Sequence, residues 1–467
     1  MRPARRLGAA LAVLTALPAL ADTPPDAEAV RAALAPYLGQ TLTKAMTLTP
    51  EGPGLRMGFG TAPVKVPFLG KLASFTLQPY DQLLTPNPDG TWLVTSDSPV
   101  AALLSAPGSE FAVRMKSAAF QGTYDPKIMG FVSSHMTVEG MEQGDKNSDP
   151  SVGNSLTTTA RSVIDQTAKP GSAPGLIDVS GSSVDTDFAQ SSRKGFGSTA
   201  ITVPSLSSRY SVTNLRQVSI LDLWQWLVAH PAPKDWAKDP DEMRRLVRAA
   251  LPLYDNMQAS GGADRAKIVT MLGTVGLDRV AYGFQCSGIS PEAAMSQEIT
   301  IAGLTLPSIV PDWVNPMVPT YARVKISAAD LPLAGIADEL LASYNPGPIR
   351  AFERGLPERI KTIFLADPRH FTLDSLRLHG PEFDVFASGR LTLSRSGLPV
   401  YNVTIEAFGL RKIQSQLKLS KEPAARRMAE FLTRALSLAA AEEGGKTVWR
   451  MHGSDLSTIY VNGYKVD

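Results

Sequence analysis

The stretch Phe383-Asp384-Val385-Phe386-Ala387-Ser388-Gly389-Arg390-Leu391-Thr392-Leu393 decides how the chain is to be read. Phe383, Val385, Ala387, Leu391 and Leu393 recur at a period of two, which places them on one side of an extended strand. The pattern predicts one buried face and one polar face. Phe371–His379 precedes it across a short turn, and the two runs form a predicted antiparallel pair.

The surrounding sequence repeats that theme. Leu277–Cys286 is expected to pair with Glu298–Leu306, and Val448–His452 with Ser457–Val461. Each pair is preceded by helical segments and, before those, by a strand opening on tyrosine: Tyr210–Thr213, Tyr321–Ile326 and Tyr401–Ile405. The order suggests β-α-β-β repeats through residues 206–467, in element order more than in residue identity. Helix starts are read from capping patterns: Ser219 with Asp222, Asp239 followed by Pro240 and Glu242, Ser327 with Asp330, and Ser420 before Pro423. Met243, Leu246, Val247, Ala250 and Leu251 fall on one helix face, as do Leu333, Ile336, Ala337, Leu340 and Leu341. A long helix is expected from Ala424 to about Ala441, stopped by Gly444-Gly445.

Residues 22–205 read as a β-rich region after one helix over Pro25–Leu38. Turn signals such as Asn87-Pro88-Asp89-Gly90 and Pro174-Gly175 separate short strands, among them Arg56–Gly60, Ser74–Gln78, Trp92–Thr95, Phe111–Lys116, Phe131–Val138 and Leu176–Val179. Residues 140–200 are the least apolar. They form either a flexible insertion or exposed strands with long turns, and exposed strands are favoured. The fold class expected is α+β: predominantly antiparallel, curved β-sheet with amphipathic helices on one face.

The N-terminus carries an address. Arg2, Arg5 and Arg6 precede the apolar run Leu7–Leu20, and Ala19-Leu20-Ala21 presents small residues where a signal peptidase cuts, between Ala21 and Asp22. The run is too short to span a bilayer, which takes roughly 20 apolar residues. Export to the periplasm, with residues 1–21 removed, is the expectation, and no later segment offers a transmembrane anchor. Asp22 at the cut rules out a lipid-bearing cysteine. Without residues 1–21 the chain has 43 basic and 44 acidic residues, a net charge of −1. That balance argues against nucleic acid and against strong overall attraction to anionic lipid. The single cysteine, Cys286, cannot form an intramolecular disulfide and reads as a small buried hydrophobe.

No residue set names a reaction. Asp145-x-Asn147-x-Asp149 starts like a calcium loop, then fails at Pro150 and Leu156. Ser191–Lys194 and Ser415–Lys418 fit S-x-x-K but lack partner motifs, and Ser415–Lys418 is expected to lie in an alternating strand. The five histidines, His135, His230, His370, His379 and His452, show no metal spacing. No catalytic residue, metal or cofactor is therefore assigned. Trp224 and Trp226 read as core or interface residues. The alternative is that the helices and sheet leave an apolar cleft for a lipid-like ligand.

The part from Gly303-Leu304-Thr305-Leu306-Pro307 onward resembles a family of uncharacterised exported proteins of Gram-negative bacteria. The resemblance rests on Val310–Pro316, on the Leu-x-Leu-x-Gly run at Leu376–Gly380, and on Val461-Asn462-Gly463. More distantly the alternation resembles the AsmA-like envelope proteins, and that resemblance implies a β-groove associated with lipid transport. The leading expectation is a non-enzymatic envelope protein that binds a lipid or other apolar ligand. The alternatives are an assembly factor with an envelope protein partner, and a hydrolase whose residues converge only in the fold.

Overall fold

The computed structural model describes residues 26–65, 74–106, 109–145, 155–194, 197–231, 233–236, 238–344, 352–441, 445–454 and 458–466. The expected signal segment and its Ala21–Asp22 junction lie outside these residues, as do Asn147 and Asp149. The fold is β-rich α+β, and the strand pairs are antiparallel. Two compact units emerge: Met1–Met257 with Leu340–Arg354, and Gln258–Glu339 with Gly355–Asp467. Residue 205, where the sequence pattern changes, lies within a strand of the first unit.

The first unit opens with α1 (Ala27–Ala45), capped by the Asp26 carboxylate accepting from the Glu28 amide at 3.0 Å. Val30, Leu34 and Leu38 recur at a spacing of four and are buried. Gly39, at φ 72°, interrupts the helix where the predicted segment ends. Seven short strands follow: β1 (Met46–Glu51), β2 (Gly54–Phe59), β3 (Ala62–Lys65), β4 (Ser74–Leu77), β5 (Tyr80–Pro86), β6 (Trp92–Asp97) and β7 (Val100–Ala106). In β5 and β6 burial alternates residue by residue, so Tyr80, Gln82, Leu84, Trp92 and Val94 point inward. Trp92 and Tyr124 are fully buried in one core with Leu34, Leu55, Met57 and Leu84.

Five long strands continue the unit: β8 (Ser109–Asp125), β9 (Gly130–Asp145), β10 (Ser155–Pro170), β11 (Ile177–Lys194) and β12 (Gly197–Leu215). They pair in sequence as an antiparallel meander. Most of the described residues of the polar stretch 140–200 are thus strand, in β9 to β12, with one side buried at Thr158, Ala160 and Ser162 and the other exposed. Then come α2 (Gln217–Ala229), α3 (Pro233–Trp236) and α4 (Pro240–Ala250). Asp239 caps α4 by accepting from the Glu242 amide at 3.1 Å, and Met243, Leu246 and Ala250 are buried. Ser219 does not cap α2. That helix starts two residues earlier, behind Arg216, with no side-chain cap.

The second unit holds β13 (Asn256–Thr270) from Gln258 onward, β14 (Gly273–Ser287), β15 (Ala293–Ala302), β16 (Tyr321–Leu331), α5 (Leu333–Ser343) as far as Glu339, α6 (Leu356–Phe364), β17 (Arg369–His379), β18 (Asp384–Leu393) and β19 (Pro399–Phe408). It closes with α7 (Leu410–Leu419), α8 (Pro423–Ser437), β20 (Ala440–Ala441), β21 (Thr447–Gly453), β22 (Ile459–Val461) and β23 (Tyr464–Val466). A strand, helices and then paired strands recur three times, at β12, β16 and β19, so the repeat exists in element order. The expected pairings hold: Tyr282 faces Ile299, Leu376 faces Ala387, and Met451 faces Val461.

Local readings needed three corrections. Ser327 lies inside β16, where its hydroxyl donates to Asp374 at 3.0 Å, so it caps no helix. The last helix ends at Ser437, and Ala440–Ala441 is already strand. Ser415–Lys418 lies in α7 rather than in a strand, because Ile413 and Leu417, four apart, are the pair that becomes buried.

Candidate functional site

Register places a continuous apolar row across the second unit. From β14 to β16 it contains Val280, Tyr282, Phe284 and Cys286, then Met295, Ile299 and Ile301, then Ala322, Val324, Ile326 and Ala328. It continues through Phe371, Leu373, Leu376 and Leu378 of β17, and Val385, Ala387 and Leu391 of β18. Tyr401, Val403, Ile405 and Ala407 of β19 extend it, followed by Trp449 and Met451 of β21. Register pairs along the middle of this side join residues of the row or the interleaved Gln297 and Gly389, because side chains alternate between faces. One irregularity interrupts the count. Between Leu373 and Leu376 the register shifts, so one extra residue is absorbed without inverting the face, Ser375 staying paired with Lys325.

A fully buried sheet face would make these side chains solvent-free, and they are not. Of the β18 residues that alternate, only Ala387 is buried; the rest are half-buried. Met295 is 42%, Ile299 37% and Ile326 49% exposed. Apolar clusters occur towards two ends. Ala293, Ala328 and Leu331 cluster with Leu333, Phe364 and Phe371. Ala407, Trp449 and Val461 cluster with Leu436, Val385 and Ile405. Between these clusters the row stays open. Cys286 is half-buried on it, and its thiol donates to the Ser287 carbonyl oxygen at 2.9 Å.

The opposite side is polar. Arg323 makes a forked pair with Glu298 at 2.8 and 3.1 Å, and this carboxylate partner raises the guanidinium pKa. Arg377 lies 5.1 Å from the Phe386 ring and 6.0 Å from that of Tyr321, and pairs with Asp384 at 3.4 Å. An open depression of about 420 Å³ sits here, lined by Tyr321, Arg323, Ser375, Arg377, Phe386 and Glu406 among others. Its charges already have protein partners, with Glu406 held by Lys446 at 2.8 Å.

The histidines lie apart. His135 bridges Asp165, at 2.7 Å from Nδ1, and the Thr137 hydroxyl, at 3.2 Å from Nε2. This hydroxyl–imidazole–carboxylate row lies on a solvent-facing sheet surface, with the His135 and Asp165 side chains 56% and 58% exposed. A catalytic triad instead sits beside oxyanion donors in a cleft. His230 stacks on Trp226 at 4.4 Å, His370 meets Thr392, His379 meets Asp384, and His452 stacks on Tyr460. Among the described residues no group of His, Cys, Asp and Glu could hold a metal ion, and no helix is long and apolar enough to cross a membrane. Trp224 donates to the Tyr37 carbonyl oxygen at 2.9 Å, and Trp226 joins an aromatic chain with Trp236, Tyr344 and Phe352. Both tryptophans therefore serve packing within the first unit.

Sequence reading found the strands of the apolar row but not its extent. Only cross-strand register aligns residues as distant as Val280 and Met451. The Thr137–His135–Asp165 row was missed for the same reason, since His135 and Asp165 are 30 positions apart. No family model matches the sequence, and neither a curated protein nor a solved structure matches it.

Proposed function

We propose that this is a non-enzymatic protein of the cell envelope that holds a lipid or another apolar ligand against the apolar sheet face of its second unit. The observation that supports the reading is the open middle of that face, where Met295, Ile299 and Ile326 remain between 37% and 49% exposed. Leaving such surface in water costs about 25 cal/mol per Å², so a chain-like apolar ligand lying along the row would be stabilised by its burial. In this reading the helices cover one face of a curved sheet at two ends and leave an apolar trough between them. Leu333 and Phe364 stand at one end, Leu410 and Leu436 at the other. The signal-like N-terminus and the AsmA-like alternation agree with an envelope location and with lipid as the ligand class.

Organic extraction of the purified protein followed by mass spectrometry tests the proposal. A stoichiometric lipid or other apolar species that is lost from Ile326→Asp protein is the expected result. A ligand-free protein that also fails to bind an added fluorescent fatty acid would overturn it.

A further inference from the structure

The hairpin formed by α7 and α8 differs in charge from the rest of the chain. Between Leu410 and Ser437 it carries Arg411, Lys412, Lys418, Lys421, Arg426, Arg427 and Arg434, against Glu422 and Glu430. The whole chain has a formal net charge of +2, so the hairpin alone exceeds it. All seven cationic residues are exposed.

Large apolar side chains stand among these charges. Leu419 is 86%, Phe431 64% and Met428 37% exposed. They are not displaced core residues. The buried side of the hairpin is complete without them, built from Ile413, Leu417, Ala425 and Ala429 with Trp313, Met317 and Phe383 packed against it. On α8, Arg427, Phe431 and Arg434 follow at spacings of four and three, one helix face with an aromatic ring between two guanidinium groups. Leu419 ends α7 between Lys418 and Lys421. Keeping leucine and phenylalanine in water is unfavourable, and a ring of cations around them matches an interface that is apolar below and anionic above.

We propose that the α7–α8 hairpin docks on an anionic lipid bilayer, with Leu419, Met428 and Phe431 entering the headgroup boundary and the surrounding arginines and lysines meeting lipid phosphates. Charge complementarity selects this occupant. A zwitterionic surface leaves the cations unanswered, and an apolar protein surface would desolvate them without partners. The docking is peripheral and reversible. No step of it depends on the sheet face carrying a ligand.

Vesicle co-sedimentation of protein purified after export tests the proposal, using phosphatidylcholine alone and phosphatidylcholine mixed with phosphatidylglycerol. Binding is expected only with phosphatidylglycerol present, and it should weaken as salt is raised. Arg427→Ala with Arg434→Ala should lower the partition coefficient by about 30-fold, given roughly a fivefold effect per basic residue at the surface. Leu419→Ser with Phe431→Ser should lower it at least about tenfold. Circular dichroism and melting of each variant establish that the fold is kept, since all four side chains are exposed. Extractable ligand should be unchanged in these variants, so failure here and failure of the ligand proposal are distinguishable. Absence of vesicle binding, equal binding by every variant, or binding to an acidic polypeptide in place of vesicles would overturn it.

Discussion

The hydroxyl of Ser162 in β10 donates a hydrogen bond to the carboxylate of Asp185 in β11, on the inward-facing side of the long meander. The two residues face each other in register, and Ser162 is only 5% exposed. Around them the same side carries Tyr210 donating to Gln166 and Gln190 donating to Thr158. Burial raises the Asp185 pKa, and the Ser162 hydrogen bond only partly offsets that effect.

This arrangement sets a pH dependence. Because the folded carboxyl holds its proton more tightly than the unfolded one, the native state binds more protons between the two pKa values. Stability therefore falls as pH rises through that window and stays lower above it. Asp185→Asn should raise the urea midpoint at pH 7, and the gain should vanish below about pH 4, the range of an unperturbed aspartate. A constant difference across pH would contradict the assignment.

Ile326 tests whether the apolar row binds or merely packs. At 49% exposure it is a peripheral contributor to the core. Ile326→Asp should shift the denaturation midpoint little while abolishing fluorescent fatty-acid binding. Equal loss of both would mean the row is structural.

Asp239 caps α4 through the Glu242 amide, with Pro240 at the first helical position. Asp239→Ala should cost about 1 kcal/mol in chemical denaturation, because an amide at the helix start loses its acceptor. Asp239→Ser should recover most of that loss.

Gly409 is the residue before α7, at φ 78°, and a methyl group there would stand 1.8 Å from the carbonyl oxygen of Glu382. Gly409→Ala should destabilise by well over about 1 kcal/mol, since left-handed backbone strain and a backbone clash add. Gly90, at φ 84° with nothing within 4 Å, gives the strain alone. Gly90→Ala should cost visibly less in the same urea titration.

Strand identity was legible in β6 and in β18, where side-chain alternation is strong, because the period of two follows from backbone geometry. Asp239, Pro240 and Glu242 announced α4 for a similarly local reason. Ser219 and Ser327 failed as caps because a serine hydroxyl takes whichever nearby partner packing supplies, and tertiary pairing left Ser219 inside a helix and Ser327 in a strand beside Asp374. Ser415–Lys418 failed because Ile413, Leu417 and Leu419 satisfy two periods at once. Only packing against Ala425 and Ala429 selected the helical one.

By itself the sequence determined the β-rich antiparallel class, the recurrent order of strand, helix and paired strands, and the polar character of residues 140–200. All of these rest on backbone periodicity and turn chemistry within a few residues. Tertiary structure alone decided which apolar residues stay half-exposed, and it aligned rows separated by more than a hundred residues. It also gathered the Asp185 and His135 contacts and set Phe431 among arginines at the surface. Burial depends on what folds over a residue, and register between distant strands is a property of pairing that no single segment encodes.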